Sequence, residues 1–118
     1  MKTKIAAATV TAFLLTALGT GVANADYTIG GNVLVELDWY GGSDCAQITW
    51  PRGDTTTQCG GQYRVVQSDI RPGNVFGARI AVGDHDDVYC EVKDMTTGDI
   101  VTNDFASSLW ANCLTNAN

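Results

Sequence analysis

The chain has 118 residues, with thirteen acidic against seven basic side chains and a formal net charge of −6. This balance argues against binding to nucleic acid or to an anionic membrane surface, because both repel negative charge. The length predicts one small domain, and four cysteines in so short a chain indicate cross-links.

The first 25 residues have the pattern of a secretory signal peptide. Lys2 and Lys4 precede an apolar stretch over residues 5–22, and residues 23–25 read Ala-Asn-Ala. Such small residues typically precede a cleavage point. We predict a helical signal peptide at residues 1–25, cleaved after Ala25, with no stable membrane span afterwards. The alternative is an uncleaved anchor.

The remaining residues, 26–118, are predicted to form one exported domain in the periplasm, in the cell envelope or outside the cell. Removing the two signal-peptide lysines takes its net charge from −6 to −8. A protein or an envelope component is the expected partner. The oligomeric state is left open.

The first predicted strand covers residues 32–40, where apolar and polar side chains alternate with a period of two. Its apolar face carries Val33, Val35, Leu37 and Trp39. Tyr40 falls on the opposite, more polar face. Shorter strands are predicted over residues 45–50 and 62–68, separated by a turn signal at residues 51–54 and by a polar, β-prone stretch.

The second half begins with a strand over residues 75–82, whose apolar face holds Phe76, Ala78, Ile80 and Val82. After a tight turn at residues 83–86, residues 87–95 are predicted to pair back on this strand as a hairpin, with Cys90 on the apolar face and Tyr89 on the other. A second hairpin turn around Gly98 then leads to residues 100–103. Residues 107–114 are either a last strand or a short helical turn.

No segment shows a helical period over three turns, and the strand signals recur at intervals of 8–12 residues. About seven short strands at this spacing favour an all-β fold. This pattern indicates an antiparallel β-sandwich or a barrel, without internal repeats.

Four cysteines allow three pairings, and spacing alone does not decide among them. We favour Cys45–Cys59, because these residues flank a short β-excursion. We also favour Cys90–Cys113, because a bond there would tie down the C-terminal tail. The alternatives are a zinc site and a redox pair. We favour structural disulfides over both, since no Cys-x-x-Cys occurs and the one histidine is not at zinc-finger spacing.

His85, in the sequence Asp-His-Asp-Asp, is either a metal ligand or general base, or part of a solvated turn. We favour the turn, because neighbouring residues in a tight turn point apart. No serine lies in a Gly-x-Ser-x-Gly setting. We therefore expect no catalytic residue, no metal site and no cofactor, and a small secreted hydrolase ranks third among the hypotheses.

Aromatic residues are the other candidates for function. Tyr40 and Tyr89 lie on polar strand faces, where exposed aromatics beside carboxylates can form a recognition patch for a protein or a glycan. The alternative, which we favour, is that these aromatics are scattered over the surface. Trp50 and Arg52 lie in the segment between Cys45 and Cys59. A disulfide-held loop there suggests a secreted inhibitor or small-ligand-binding protein, which is the main alternative function.

The second half also carries a family resemblance. Residues 75–80 read Val-Phe-x-Ala-x-Ile, and they are followed by a Gly-Asp turn, by Val-Tyr-Cys-Glu-Val-Lys at residues 88–93, by a turn at Gly98, and by Ala-Asn-Cys at residues 111–113. This series resembles the C-terminal β-domain of the mycobacterial membrane protein small (MmpS) family.

The resemblance implies an immunoglobulin-like exported β-sandwich with an accessory role to large envelope exporters of lipids and siderophores. MmpS proteins keep their N-terminal segment as an anchor, and Cys45–Cys59 is extra to their pattern. The Ala-rich signal and acidic domain also suit an actinobacterial small secreted protein in general. We therefore predict a secreted, non-catalytic interaction or envelope-accessory protein.

Overall fold

The computed structural model describes residues 27–41, 44–82, 87–107 and 109–118. The predicted signal peptide, its cleavage point and the turn containing His85 lie outside these residues. Within them every regular element is a β-strand. These residues contain no helix of the length and apolarity that would span a membrane.

Ten strands are described, more than the seven or so predicted. In chain order they are β1 (Val33–Tyr40), β2 (Cys45–Thr49), β3 (Thr55–Cys59), β4 (Gln62–Gln67), β5 (Val75–Phe76), β6 (Arg79–Ala81), β7 (Asp87–Asp94), β8 (Ile100–Ala106), β9 (Trp110–Asn112) and β10 (Thr115–Asn116). Eight of them form two four-stranded antiparallel sheets, and β5 pairs with β10. The predicted all-β antiparallel sandwich is therefore confirmed.

The strand order of the two sheets shows that the halves of the domain are interlocked. Sheet A has the order β4-β1-β7-β8, and sheet B has the order β3-β2-β6-β9. In the first half, β1 and β4 pair in sheet A while the β2–β3 hairpin lies in sheet B. In the second half, β6 and β9 pair in sheet B while the β7–β8 hairpin lies in sheet A. The two halves thus share one connectivity without a sequence repeat. The predicted hairpin between residues 75–82 and 87–95 is wrong, because β6 and β7 belong to different sheets.

The core lies between the two sheets, where alternate residues of each strand are buried. The four apolar residues predicted on β1 are at most 2% exposed, as are Val88, Cys90 and Val92 on β7. These strands alternate because one face of each sheet meets the core and the other meets solvent. The predicted alternation of β1 and β7 is confirmed.

The strand predicted over residues 75–82 is interrupted at Gly77, whose φ is +94°. Phe76, Ala78 and Ile80 are nevertheless fully buried, as predicted, whereas Val82 is only half-buried. The side-chain amide of Gln67 fills the break. Its Nε2 donates to the Gly77 carbonyl at 2.8 Å, and its Oε1 accepts from the Gly77 N–H at 2.6 Å.

Glycine is required at position 77 by contact as well as by its backbone angle. A Cβ atom there would lie 2.0 Å from the carbonyl oxygen of Cys113, which is backbone and cannot turn away. The close approach brings the end of sheet B against the strand break, next to the buried disulfide.

Both favoured disulfides, Cys45–Cys59 and Cys90–Cys113, are present. Cys90–Cys113 joins β7 of sheet A to the residue after β9 of sheet B, and its cysteines are 0% and 1% exposed. Like the inter-sheet disulfide of immunoglobulin domains, it crosses the core. Cys45–Cys59 joins the first residue of β2 to the last of β3 on the surface. Two disulfides fit an oxidising environment outside the cytoplasm.

The tail, for which a last strand and a short helical turn were both open, forms β-strands. Trp110–Asn112 pairs with β6, and Thr115–Asn116 pairs with β5. The last long strand was expected to end at Asn103 but continues to Ala106. Its extension brings Phe105 onto sheet A.

Candidate functional site

The outward side of sheet A, called here the outer face, carries a concentrated set of charged and aromatic side chains. The strand register arranges them in cross-strand rows. One row runs Arg64, Glu36, Glu91, Asn103, and the next runs Gln62, Asp38, Tyr89, Phe105. A third, interrupted by a bulge on β7–β8, runs Val66, Leu34, Lys93, Ile100.

The charged row is connected by side-chain contacts. Arg64 Nε donates to Glu36 Oε2 at 2.5 Å, and Glu36 lies directly opposite Glu91. The Tyr89 hydroxyl donates to Glu91 Oε1 at 2.8 Å, and Lys93 Nζ lies 4.0 Å from Glu91 Oε2. Two carboxylates in direct cross-strand contact repel each other unless one of them takes up a proton.

The surroundings of the two glutamates differ, and their pKa values move in opposite directions. The hydrogen bond from Arg64 lowers the pKa of Glu36 despite partial burial. Burial raises the pKa of Glu91, and the nearby Glu36 adds to this effect. Glu91 is therefore the first of the pair to bind a proton as the pH falls, and its proton can then bond to Glu36.

The same face holds three aromatic side chains on neighbouring strands. Tyr40 and Phe105 are 65% and 59% exposed. Tyr89 lies between Asp38 and Phe105 in register, and Tyr40 is the next outward residue after Asp38 on β1. Diagonal neighbours of this kind lie within reach of aromatic side chains. The fold thus brings together Tyr40, Tyr89 and Phe105.

Tyr89 is held more firmly than the other two. It is half-buried, and its hydroxyl both donates to Glu91 and accepts from Asn103 Nδ2 at 3.4 Å. Burial, with the adjacent carboxylates, raises the pKa of Tyr89 to about 12. It therefore stays a neutral phenol that orients Glu91, while Tyr40 and Phe105 present their rings to solvent.

Sequence reasoning located Tyr40 and Tyr89 on polar strand faces but missed Phe105. The signal was weak, because three consecutive polar residues, at positions 102–104, separate Val101 from Phe105. The prediction ended the strand too early, at Asn103. Only the observed pairing of β7 with β8 places Phe105 beside Tyr89.

The other two candidate residues, Trp50 and Arg52, lie on the hairpin of sheet B and do not join this cluster. Trp50 is half-buried: its indole Nε1 donates to Thr56 Oγ1 at 2.8 Å, and its ring meets Tyr63 edge-on at 6.0 Å. It packs against the core and supports the turn. Arg52 is exposed at the tip.

The turn that carries Arg52 is well fixed. The Gly53 N–H donates to the Trp50 carbonyl at 2.8 Å, and the Trp50 N–H donates to the Asp54 carbonyl at 2.9 Å. An open groove of about 700 Å³ lies beside it, towards residues 67–76. The Cys45–Cys59 bond closes the opposite end of the hairpin and does not hold the tip directly.

No family model, curated protein or solved structure matches the chain. The resemblance to the MmpS family therefore stays a prediction.

Proposed function

We propose that the protein is an exported, non-catalytic binding protein that docks a basic protein partner on the outer face of sheet A. The observation that carries this proposal is the gathering of Tyr40, Tyr89 and Phe105 beside four carboxylates on one face. An accessory role in the cell envelope, as the family resemblance implies, is one setting for such a protein.

The exposed apolar area supports docking. Besides Tyr40 and Phe105, Val66 and Ile100 on the two edge strands are 45% and 51% exposed. Interfaces take most of their affinity from a few aromatic anchors surrounded by polar groups. The outer face has this composition.

Charge favours a basic protein as the partner. The outer face carries Glu36, Asp38, Asp87 and Glu91 against Arg64 and Lys93, and the whole chain is acidic. A basic partner would be attracted over several ångströms and would bind faster at low salt. Asp38 and Asp87 lie opposite Tyr89 and Tyr40 in the strand register, and Glu91 accepts the hydrogen bond of Tyr89.

The first experiment replaces Tyr40 by a photo-cross-linking amino acid in the organism's own cells. We expect a defined cross-linked protein to be identified by mass spectrometry. The matched control places the same amino acid at Trp110, which is 52% exposed on β9 of sheet B with Arg79 5.6 Å from its ring centre. Equal products from both positions, or a product from Trp110 alone, would contradict docking on the outer face.

The affinity for the captured partner then tests whether Tyr40 and Phe105 anchor the interface. Tyr40→Ala and Phe105→Ala should each weaken binding by about tenfold or more, and Trp110→Ala should leave it unchanged. Raising the salt concentration should weaken binding further, because the partner is basic. An unchanged affinity in both anchor variants would rule out the proposed face.

A second candidate is an inhibitor or small-ligand binder that uses the β2–β3 turn. The fixed turn with exposed Arg52 beside an open groove favours it. Arg52→Ala should then abolish binding, with Tyr40→Ala neutral. The opposite pattern supports the outer face, so the two variants separate the two functions in one assay.

A further inference from the structure

We propose that Cys45–Cys59 is a redox site, which a dithiol can open and an oxidant can close again while the β-sandwich stays folded. This inference rests on the disulfide and its hairpin and is independent of the partner proposed above. The other disulfide of the same chain provides an internal comparison.

Access is the first argument. Cys45 and Cys59 are both exposed, at the ends of the β2–β3 hairpin. Cys90 and Cys113 are 0% and 1% exposed within the core. Thiol–disulfide exchange requires a thiolate to reach a sulfur atom, so the surface bond can react in the native state and the buried bond cannot.

The strand register is the second argument. Cys45 and Cys59 lie directly opposite each other, next to the pair in which the Gly60 N–H donates to the Asp44 carbonyl at 3.0 Å. Their Cα atoms are 3.9 Å apart, below the usual disulfide range of about 4.4–6.8 Å. The register therefore keeps both cysteines at the same end of the hairpin, next to each other.

The hairpin does not depend on the bond for its shape. Five residue pairs connect β2 to β3, β2 also pairs with β6, and Trp50 fixes the far end through Thr56 and Asp54. The reduced hairpin should therefore keep its register. Its two thiols would stay opposite each other, ready to form the bond again.

The exchange is a two-electron reaction. A thiolate of the reducing dithiol attacks one Sγ atom, a mixed disulfide forms, and the other Sγ leaves as a thiolate that takes up a proton. The second thiol of the reductant then attacks its own sulfur in the mixed disulfide and releases the second cysteine. The protein gains two electrons and two protons, and the dithiol becomes a disulfide.

Asp44 influences which thiols react. Its Oδ2 lies 3.9 Å from Cys45 Sγ, and a carboxylate oxygen of Asp44 and both sulfur atoms lie within 4.8 Å of one another. This negative charge repels an approaching thiolate, most strongly one that carries further negative charge. The site should therefore prefer an uncharged dithiol to an anionic thiol such as glutathione.

The test is a time course of reduction by dithiothreitol in native buffer, with free thiols alkylated and assigned by mass spectrometry. We expect Cys45 and Cys59 to be labelled at least about tenfold faster than Cys90 and Cys113, because only they are accessible. The near-ultraviolet circular dichroism should be retained, and glutathione disulfide should restore the bond. Similar rates for both bonds, or labelling only as the dichroism is lost, would overturn the proposal.

Two variants complete the test. Cys45→Ser with Cys59→Ser should remain folded with native near-ultraviolet dichroism; an unfolded double variant would show that the bond is structural and overturn the proposal. Asp44→Asn should speed reduction by glutathione about two- to fivefold, and reduction by dithiothreitol less, since repulsion falls with the charge of the attacking thiol. Equal acceleration for both thiols would overturn the role of Asp44.

Discussion

The two disulfides occupy opposite settings in two halves that share one connectivity. Cys45–Cys59 joins neighbouring strands of a surface hairpin, whereas Cys90–Cys113 joins the two sheets through the core. Their sequence separations, 14 and 23 residues, are similar. Loop entropy therefore assigns each about 3 kcal/mol, and any larger difference between them must come from their surroundings. The same covalent bond can be reactive on the surface and structural in the core.

The largest expected effect tests this comparison directly. Cys90→Ala with Cys113→Ala should lower the free energy of unfolding by about 4–5 kcal/mol, since lost packing adds to lost cross-linking. Cys45→Ala with Cys59→Ala should cost about 3 kcal/mol or less. Urea denaturation measures both values. If removing Cys45–Cys59 lowered the free energy of unfolding more than removing Cys90–Cys113, the assignment of reactive and structural bonds would be wrong.

Gly77→Ala tests the surroundings of the buried disulfide, because the new Cβ would collide with the Cys113 carbonyl. We expect a loss of about 3 kcal/mol in urea denaturation. Gly53→Ala on the surface hairpin is the control. Gly53 also has a positive φ, +92°, but nothing lies within 4 Å of its Cβ position, so about 1 kcal/mol should be lost. Equal losses would mean that backbone angle alone matters at both positions.

Asp94, at the end of β7, is 2% exposed and should show a smaller, pH-dependent effect. Burial raises its pKa, but hydrogen bonds from the Thr28 hydroxyl at 2.7 Å and the Thr96 N–H at 2.8 Å outweigh burial and leave the pKa lowered. Its stabilisation is thus present at neutral pH and lost as the pH falls through this lowered pKa.

Asp94→Asn should therefore cost about 1–3 kcal/mol at pH 7, and the difference from the native protein should shrink below about pH 4. Denaturation curves at several pH values measure it. Asp99→Asn, exposed in the same turn, is the control and should change little. A pH-independent loss at Asp94 would mean that shape rather than charge is responsible.

The smallest effect has the opposite sign and concerns Glu91, which follows Cys90 but faces outwards. Because folding raises its pKa, its contribution to stability falls as the pH rises through that pKa. Glu91→Gln removes the repulsion with Glu36 while keeping an acceptor for Tyr89. We expect a gain of about 0.5–1 kcal/mol at pH 7 that disappears where Glu91 is protonated.

Thermal denaturation at neutral and acidic pH measures this gain. Asp87→Asn, exposed at the start of β7, is the control and should give no comparable gain. A loss of stability from Glu91→Gln would show that the contacts of Glu91 with Lys93 and Tyr89 outweigh its repulsion with Glu36.

Local sequence patterns predicted much of the fold. The alternation of β1 and β7 identified their buried faces, and the positions of the cysteines relative to strands favoured the observed pairing. The interruption at Gly77 was not predictable in the same way, because it depends on Gln67 and Cys113, which are distant in sequence.

The candidate site was harder to predict for the same reason. Alternation placed Tyr40 and Tyr89 outwards, but only strand order determines that β1, β7 and β8 are adjacent. Trp50 was a candidate because it lies between Cys45 and Cys59, yet its indole donates a hydrogen bond to Thr56 and packs against Tyr63. Long-range register, which no short pattern encodes, decided both outcomes.

The interlocked connectivity has a consequence for how the chain acquires its structure. β1 cannot gain its second neighbour until β7, ending at Asp94, has been synthesised, and β6 must wait for β9 near the C-terminus. Pairings between distant segments form slowly, and a partial chain leaves open strand edges. The β2–β3 hairpin, with Cys45 and Cys59, is the first pairing for which both strands have been synthesised. A truncated chain should therefore be an aggregating fragment rather than half a domain, and the Cys90–Cys113 bond should be the last to form.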